Sequence, residues 1–383
     1  MRSEKSCKEN DLRHVNPVFD MLKNKLPFLR CLSLLLCLLC VFPLAALPGA
    51  AATPCFFAMP ATRGSSPAAP GEPIMLLPGG QPFGVRMQAE GVMVVSLSEV
   101  VSGGKNLRPA KDAGLRVRDV IVEADGRAVK NAEEVTALIH ASGGRAITLR
   151  VMRGEEALAL TVTPVKSDAG GYACGMYIRD SASGIGTVTF LVPESGLFGG
   201  LGHGECDSDT GALVPLSRGS VLSVRITGAT RGQAGNPGEL RGSFTGQRLG
   251  SLVTNSECGV FGLLSEIPPC KYPAMPIAPA DEVHEGAATI LCTLGDDGIG
   301  EYAVEISGID HSARPTKSFT VHVTDERLLA RTGGIVQGMS GSTILQDGKI
   351  VGAVTHVLVD DPTTGYGIFI ENMLSRMKMR EVA

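Results

Sequence analysis

The stretch Gly333-Gly-Ile-Val-Gln-Gly-Met-Ser-Gly-Ser-Thr343 combines a short apolar segment with a glycine-flanked serine, Ser340. Asp347-Gly348 follows, and this dipeptide is typical of a β-hairpin turn. A Gly-x-Ser-Gly turn can expose its hydroxyl while the N–H groups of Gly338 and Ser340 point at one spot. That spot can hold the oxyanion of acyl transfer. We therefore predict Ser340 as a nucleophile, with Gly338 and Ser340 as its oxyanion hole.

A nucleophilic serine needs a base, and the base needs a group that orients it. Among the seven histidines, His203 is predicted as the base because glycines on both sides leave its ring uncrowded. His356, after the hairpin, is the rival. Asp325 follows an apolar strand and is predicted as the orienter; the alternative is that it caps the helix that follows. Asp207 and Asp209 are the alternative orienters.

Composition favours a β-rich protein with peptide rather than nucleic-acid partners. The chain has 48 glycines and only 4% aromatic residues, as expected for many strands joined by tight turns. A net charge of −4 without a basic stripe argues against nucleic acid. The cysteines and histidines do not have zinc-ligand spacing, so we expect no metal and no organic cofactor.

Residues 172–383 are predicted to form a chymotrypsin-like double β-barrel. Short strands with frequent turns are typical of barrels and sandwiches, and the chain order His, Asp, Ser is the chymotrypsin one. The stretch Phe369–Met379 has helical spacing and is predicted as a closing helix. The predicted strands are Gly186–Val192, Gly219–Thr227, Leu249–Val253, Ala288–Thr293, Tyr302–Ile306, Ser318–Val323, Thr343–Gln346 and Lys349–His356.

Residues 74–166 resemble a PDZ domain. The resemblance rests on the long pattern Pro109-Ala-Lys-Asp-Ala-Gly-Leu-Arg-Val-Arg-Asp-Val-Ile-Val-Glu-Ala-Asp-Gly-Arg-Ala-Val129, followed by a helical stretch over Asn131–Ala141. PDZ domains bind extended peptide ends by adding a strand to a sheet edge, and backbone amides receive the carboxylate. The predicted carboxylate-binding loop contains Gly79, Gly80, Phe83, Gly84 and Val85.

The amino terminus is predicted to direct the chain to a membrane. Residues 1–30 form a basic cytoplasmic segment with seven Lys and Arg side chains. Residues 31–52 are apolar and uncharged, and are predicted as a transmembrane signal-anchor or a cleaved signal peptide. Positive charge before this run places the catalytic part on the extracytoplasmic side. Residues 53–73, rich in Ala, Pro, Gly and Ser, are predicted as a linker.

Five segments of the peptidase domain carry a family resemblance when they are taken together: residues 178–190, 199–203, 332–342, 352–357 and 365–373. With them the chain resembles the stage IV sporulation protein B (SpoIVB) serine peptidases of endospore-forming Firmicutes. The resemblance covers the anchor, the PDZ domain and the peptidase domain in that order, and implies a triad of His203, Asp325 and Ser340. Thr343, where proline is usual, and Glu205-Cys206 depart from the family pattern, but no triad residue is lost.

The same resemblance implies a function in sporulation. Such peptidases act in the forespore intermembrane space, cleave themselves, and cut a membrane-bound inhibitor of an intramembrane protease that processes a late mother-cell sigma factor. The expected partners are therefore protein and peptide substrates, including the chain itself, and a membrane, but no nucleic acid. The alternative is a non-catalytic PDZ scaffold with a degenerate protease domain. An HtrA-like protease is disfavoured because those proteins place the protease domain before the PDZ domain.

Overall fold

Strands dominate the fold, as the sequence predicts. The structure, a computed structural model, describes residues 73–312 and 315–377. The strands are β1 (Met75–Pro78), β2 (Pro82–Leu97), β3 (Val100–Ser102), β4 (Lys105–Leu107), β5 (Val120–Ala124), β6 (Arg127–Ala128), β7 (Ile147–Arg153), β8 (Glu156–Val162), β9 (Val165–Lys166), β10 (Tyr172–Ala173), β11 (Met176–Leu191), β12 (Leu197–Gly200), β13 (Leu216–Thr230), β14 (Glu239–Ser256), β15 (Gly259–Leu264), β16 (Met275–Pro276), β17 (Gly286–Thr293), β18 (Ile299–Ser307), β19 (Phe319–Val323), β20 (Thr343–Gln346), β21 (Lys349–Leu358) and β22 (Asp361–Phe369). The helices are α1 (Pro109–Asp112), α2 (Ala132–Ala141), α3 (Glu326–Thr332) and α4 (Ile370–Arg376).

The predicted amino-terminal segments, 1–30 and 31–52, lie outside the described residues, as does all of the predicted linker 53–73 except its last residue. Within the part of the chain that the structure describes, none of the helices is both long enough and apolar enough to span a bilayer.

Two rings of antiparallel strands form a double β-barrel as predicted, but the first ring includes β2, which lies outside the predicted peptidase domain 172–383. In the first ring β2, β11, β12, β15, β14 and β13 each pair with the next, and β13 pairs back to β2. Its interior is apolar because alternate residues of each strand point inward, among them Val85, Phe198 and Val221. The second ring is closed in the order β17, β18, β19, β22, β21, β20. Ile290 and Val321 lie in its core.

The PDZ part of the chain packs a helix against strands that continue the first ring. The second half of β2 pairs with β5, and β5 pairs with β7, which pairs with β8. Helix α2 confirms the predicted helical stretch. Asn131 is its N-cap and accepts a hydrogen bond from Glu134 N–H at 2.8 Å. Val135 and Ile139 bury the inner face of α2 in a core that includes Ile121.

The predicted carboxylate-binding loop is part of the peptidase sheet. The N–H groups of Gly79 and Gly80 donate to Thr189 O at 2.9 Å and Val188 O at 2.8 Å. Both edges of the first half of β2 are occupied, one by β11 and the other by β13. Its alternating apolar residues fill the barrel, so this segment presents no free strand edge. The role of the loop as a carboxylate acceptor stays a prediction. The residues concerned are Gly79, Gly80, Phe83, Gly84 and Val85.

Replacing Phe83 tests this placement. Phe83 is 1% exposed and packs edge-on against Phe198 at 5.5 Å between ring centroids. Phe83→Ala should lower the free energy of unfolding by about 3–5 kcal/mol, because it leaves a cavity in the barrel. Urea unfolding of the full chain in detergent measures this. Tyr177→Ala is the control, since that side chain is 63% exposed. A Phe83→Ala protein as stable as wild type would contradict the placement.

Candidate active site

The serine turn lies between α3 and β20. Helix α3 ends at Gly333, which adopts the left-handed conformation. Two further glycines with positive φ, Gly338 at +93° and Gly341 at +94°, flank Ser340. A Cβ on Gly341 would lie 2.0 Å from Thr187 O, so only glycine fits this close approach between the turn and β11.

Hydrogen bonds occupy the carbonyl groups around Ser340. Gly338 O accepts from Thr187 Oγ1 at 3.0 Å and Ser340 O accepts from Thr187 N–H at 2.9 Å. Met339 O accepts from the N–H and the hydroxyl of Ser342. By contrast, the N–H groups of Gly338 and Ser340 donate to no group within residues 73–312 and 315–377. Two free donors beside a serine hydroxyl are what an oxyanion hole requires.

The hydroxyl of Ser340 contacts the strand that carries the rival base. Ser340 Oγ donates to Thr355 O at 2.8 Å, and His356 is the next residue. The segment before His203 also touches the serine turn, since a Cβ on Gly341 would lie 2.5 Å from Leu201 N. Both candidate bases therefore follow residues in direct contact with the serine turn.

His203 and His356 lie side by side, with ring centroids 4.9 Å apart and a tilt of 34°. His203 Nδ1 is 2.9 Å from Gly204 O. In the tautomer that carries its proton on Nδ1, Nδ1–H donates to the Gly204 carbonyl. Nε2 is then unprotonated, as a general base requires. Burial lowers the pKa of His203 below its usual 6.5. The lowered pKa favours the neutral ring, which is the form that can accept a proton.

Both histidines open onto a cavity of about 740 Å³. Partial burial is the main cause that lowers the pKa of His356 to about 4, and repulsion from positive charge on His203 and Lys317 lowers it further. Glu205 also lines this cavity, and burial raises the pKa of its carboxyl. The sequence pattern predicts no role for Glu205. Its position two residues after the predicted base is the one signal that points to it.

Asp325 is an N-cap, the alternative that the sequence left open. Its carboxylate accepts from the N–H groups of Arg327 and Leu328 at the start of α3, and from Ala303 N–H. It also pairs with the Arg327 guanidinium at 2.7 Å. The hydrogen bond from the Arg327 side chain is the main cause that lowers the pKa of Asp325 to about 2, and the bonds from these N–H groups lower it further. None of these partners is His203, so the orienting role of Asp325 stays a prediction.

The alternative orienters are bound to an arginine of β11. Arg179 pairs with both Asp207 and Asp209. A second contact also holds the loop that follows His203: Arg118, in the PDZ part, donates to Thr210 O. These contacts position the loop after the base, and they leave both aspartates engaged with Arg179. Within the described part of the chain, no group of three or more His, Cys, Asp or Glu side chains is placed to hold a metal ion.

The fold and the site together define a serine peptidase with a PDZ domain. Residues 170–374 match the SpoIVB peptidase S55 family and residues 83–163 match the PDZ domain family. The first match covers more than half of the chain, which therefore belongs to the SpoIVB peptidase S55 family. No curated protein sequence matches the chain significantly.

Several solved structures are similar to parts of the chain. The PDZ domain of an SdrC-like protein from Listeria monocytogenes is 25% identical, covers 23% of this chain and 87% of its own, and has a TM-score of 0.20. The active form of the Rv3671c protease from M. tuberculosis is 15% identical over 51% of this chain and 72% of its own, with a TM-score of 0.30. The HtrA-type protease AlgW with a tripeptide is 14% identical, covers 50% of this chain and 54% of its own, and has a TM-score of 0.30.

Two substitutions of Asp325 separate its capping role from an orienting role. Asp325→Ala should destabilise the protein by about 1–2 kcal/mol because α3 loses its N-cap. Asp325→Asn should cost less, because an amide oxygen can still accept from the helix N–H groups. Thermal unfolding measures both effects.

The activity of a folded Asp325→Asn protein then decides the second question. A loss of about 10⁴-fold in kcat would show that the Asp325 carboxylate orients the histidine base. A loss of that size follows in another triad when Asn replaces the orienting Asp and the histidine adopts the wrong tautomer. Activity close to wild type would assign Asp325 to the cap alone.

Proposed function

We propose that this serine peptidase is a membrane-associated endopeptidase of sporulation. It cleaves itself and a membrane-bound inhibitor, and so activates an intramembrane protease that processes a late mother-cell sigma factor. The observation that carries the catalytic part is that the N–H groups of Gly338 and Ser340, beside the Ser340 hydroxyl, have no partner in the part of the chain that the structure describes. Membership of the SpoIVB peptidase family supports the sporulation role. Residues 31–52 would anchor the chain, with the peptidase in the forespore intermembrane space.

In the proposed mechanism Ser340 Oγ attacks the carbonyl carbon of the scissile bond, and its proton passes to His203 Nε2. The carbonyl oxygen becomes an oxyanion that accepts from the N–H groups of Gly338 and Ser340. The C–N bond then breaks and the proton moves from His203 to the departing amine. A water molecule repeats the sequence on the acyl-enzyme, releases the carboxylic acid and restores the serine. Asp325 would hold the imidazole tautomer, although its contacts here are those of a cap.

Self-cleavage by the full chain tests this function. We expect wild-type chain in lipid vesicles to be converted into a shorter soluble fragment, while Ser340→Ala remains intact and vesicle-bound. Mass spectrometry of the fragments identifies the bond that is cut. The membrane-bound inhibitor, supplied in the same vesicles, should be cut by wild type alone. Cleavage in both proteins would exclude Ser340 as the nucleophile, and an intact wild type would favour the scaffold alternative.

We also propose a peptide-binding site on the PDZ part, at a different place from the predicted loop. A cleft of about 500 Å³ lies between α2 and the first residues of β11. Residues Met176–Ile178 pair with β2 along one edge, while β12 reaches β11 only from Val188 onward. The other edge at the cleft thus has no strand partner among the described residues. Gly175 N–H, next to it, donates to no described group.

This geometry suits an extended peptide with a free carboxylate. A free edge can accept an added strand, and an unpartnered N–H at its start can bind the carboxylate. Thr136 and His140 of α2 face the cleft from the other side, with Tyr177 on the strand. The occupant would be the carboxyl end of a protein substrate or of one of its fragments.

Selection from a library of random carboxyl-terminal heptapeptides, followed by titration of the best peptide, tests the site. Tyr177→Asp should weaken binding about tenfold or more, because it places charge in the cleft. Leu263→Asp is the matched control, an exposed apolar residue (46%) of β15 in the barrel. The amide form of the peptide should bind more weakly than the acid. Equal binding by Tyr177→Asp and wild type would place the site elsewhere.

A further inference from the structure

We propose that Thr187 is a positioning residue for catalysis, which holds the oxyanion hole in its working shape. The inference rests on the proposed function, because it assigns a role to the N–H groups beside Ser340. Thr187 lies in β11 and is 2% exposed. It acts through the serine turn.

Thr187 contacts the turn on both sides of Met339. Its hydroxyl donates to Gly338 O at 3.0 Å, and its N–H donates to Ser340 O at 2.9 Å. Its own carbonyl accepts from Leu201 N–H at 3.2 Å, two residues before His203. One residue is therefore bonded to the nucleophile's turn and to the segment that carries the base.

The side-chain hydroxyl matters because Gly338 has no side chain to fix its conformation. Glycine is the residue least restrained in φ and ψ. Gly338 N–H shares a peptide plane with Gln337 O, which accepts from Leu240 N–H at 2.7 Å, and Ser340 N–H shares one with Met339 O, which accepts from Ser342. The Gly338–Met339 peptide unit lies between these two planes. It is held by the Thr187 hydroxyl at Gly338 O and by Met339 N–H, which donates to Val336 O at 3.1 Å. Without the hydroxyl this unit loses one of its two hydrogen bonds and can rotate, which changes the relative orientation of the two N–H groups.

Thr189 offers a matched control on the same strand. Its hydroxyl is equally buried, at 0% exposure, and donates to Gly341 O at 2.8 Å. This carbonyl lies beyond Ser340, on the side away from Gly338. Thr189→Val and Thr187→Val therefore each remove one buried hydroxyl of β11 that donates to the serine turn. Only Thr187→Val removes a hydrogen bond from the peptide unit between the two N–H groups, so only this variant should disturb their relative orientation.

The test measures how fast a fluorophosphonate probe labels Ser340 in the full chain. Its phosphoryl oxygen develops charge as a scissile carbonyl does, so labelling depends on the oxyanion hole. Thr187→Val should slow labelling by at least about tenfold, below the ~10²–10³ lost with an entire donor. Thr187→Ser, which keeps the hydroxyl, should label like wild type, and Thr189→Val should stay within about threefold of it. Thermal unfolding is followed for each variant.

The outcomes separate this inference from the proposed function. If wild type is not labelled at Ser340, the proposed function fails and the inference fails with it. If wild type is labelled, equal rates for Thr187→Val and wild type overturn the inference alone. Equal slowing by Thr187→Val and Thr189→Val would assign both hydroxyls a structural role and also overturn it. Should Thr187→Val lose its fold, Thr187→Ala removes the hydroxyl without a methyl against the carbonyl and is compared in the same way.

Discussion

The hydrogen bonds between Thr187 of β11 and the serine turn are the constraint on which the site depends. Thr187 holds the carbonyls of Gly338 and Ser340. The N–H groups of Gly338 and Ser340 have no acceptor among the described residues. Oxyanion stabilisation needs such donors to be oriented before charge develops. Because β11 belongs to the first barrel and the turn leads into the second, the same bonds also join the two barrels.

One strand also connects the proposed peptide cleft with both halves of the site. Strand β11 begins beside α2, continues to Arg179, which pairs with two aspartates of the loop after His203, and ends at the serine turn. The PDZ part reaches the same loop through Arg118, which donates to Thr210 O. The base-bearing loop is therefore fixed both by β11 and by a residue of the PDZ part. A peptide bound at the cleft would lie against the strand that shapes the oxyanion hole.

The sequence was sufficient where local pattern determines structure. Short strands separated by frequent turns predicted the barrel fold, and the glycines around Ser340 predicted a turn that points two N–H groups at one spot. Pattern could not decide between β2 as a groove edge and as a barrel strand, because Phe83 and Val85 suit both. Nor could it decide between Asp325 as orienter and as cap, since a carboxylate before a helix suits both. The contact between His203 and His356 depends on tertiary packing that spacing does not reveal.

The most direct test of the account is a crystal structure of the full chain with a fluorophosphonate adduct. We expect phosphorus bonded to Ser340 Oγ and the phosphoryl oxygen about 2.7–3.1 Å from the N–H nitrogens of Gly338 and Ser340. A hydrogen bond from His203 to the adduct would identify the base. An adduct on another residue, or a phosphoryl oxygen turned to solvent with those N–H groups still unpartnered, would contradict the account.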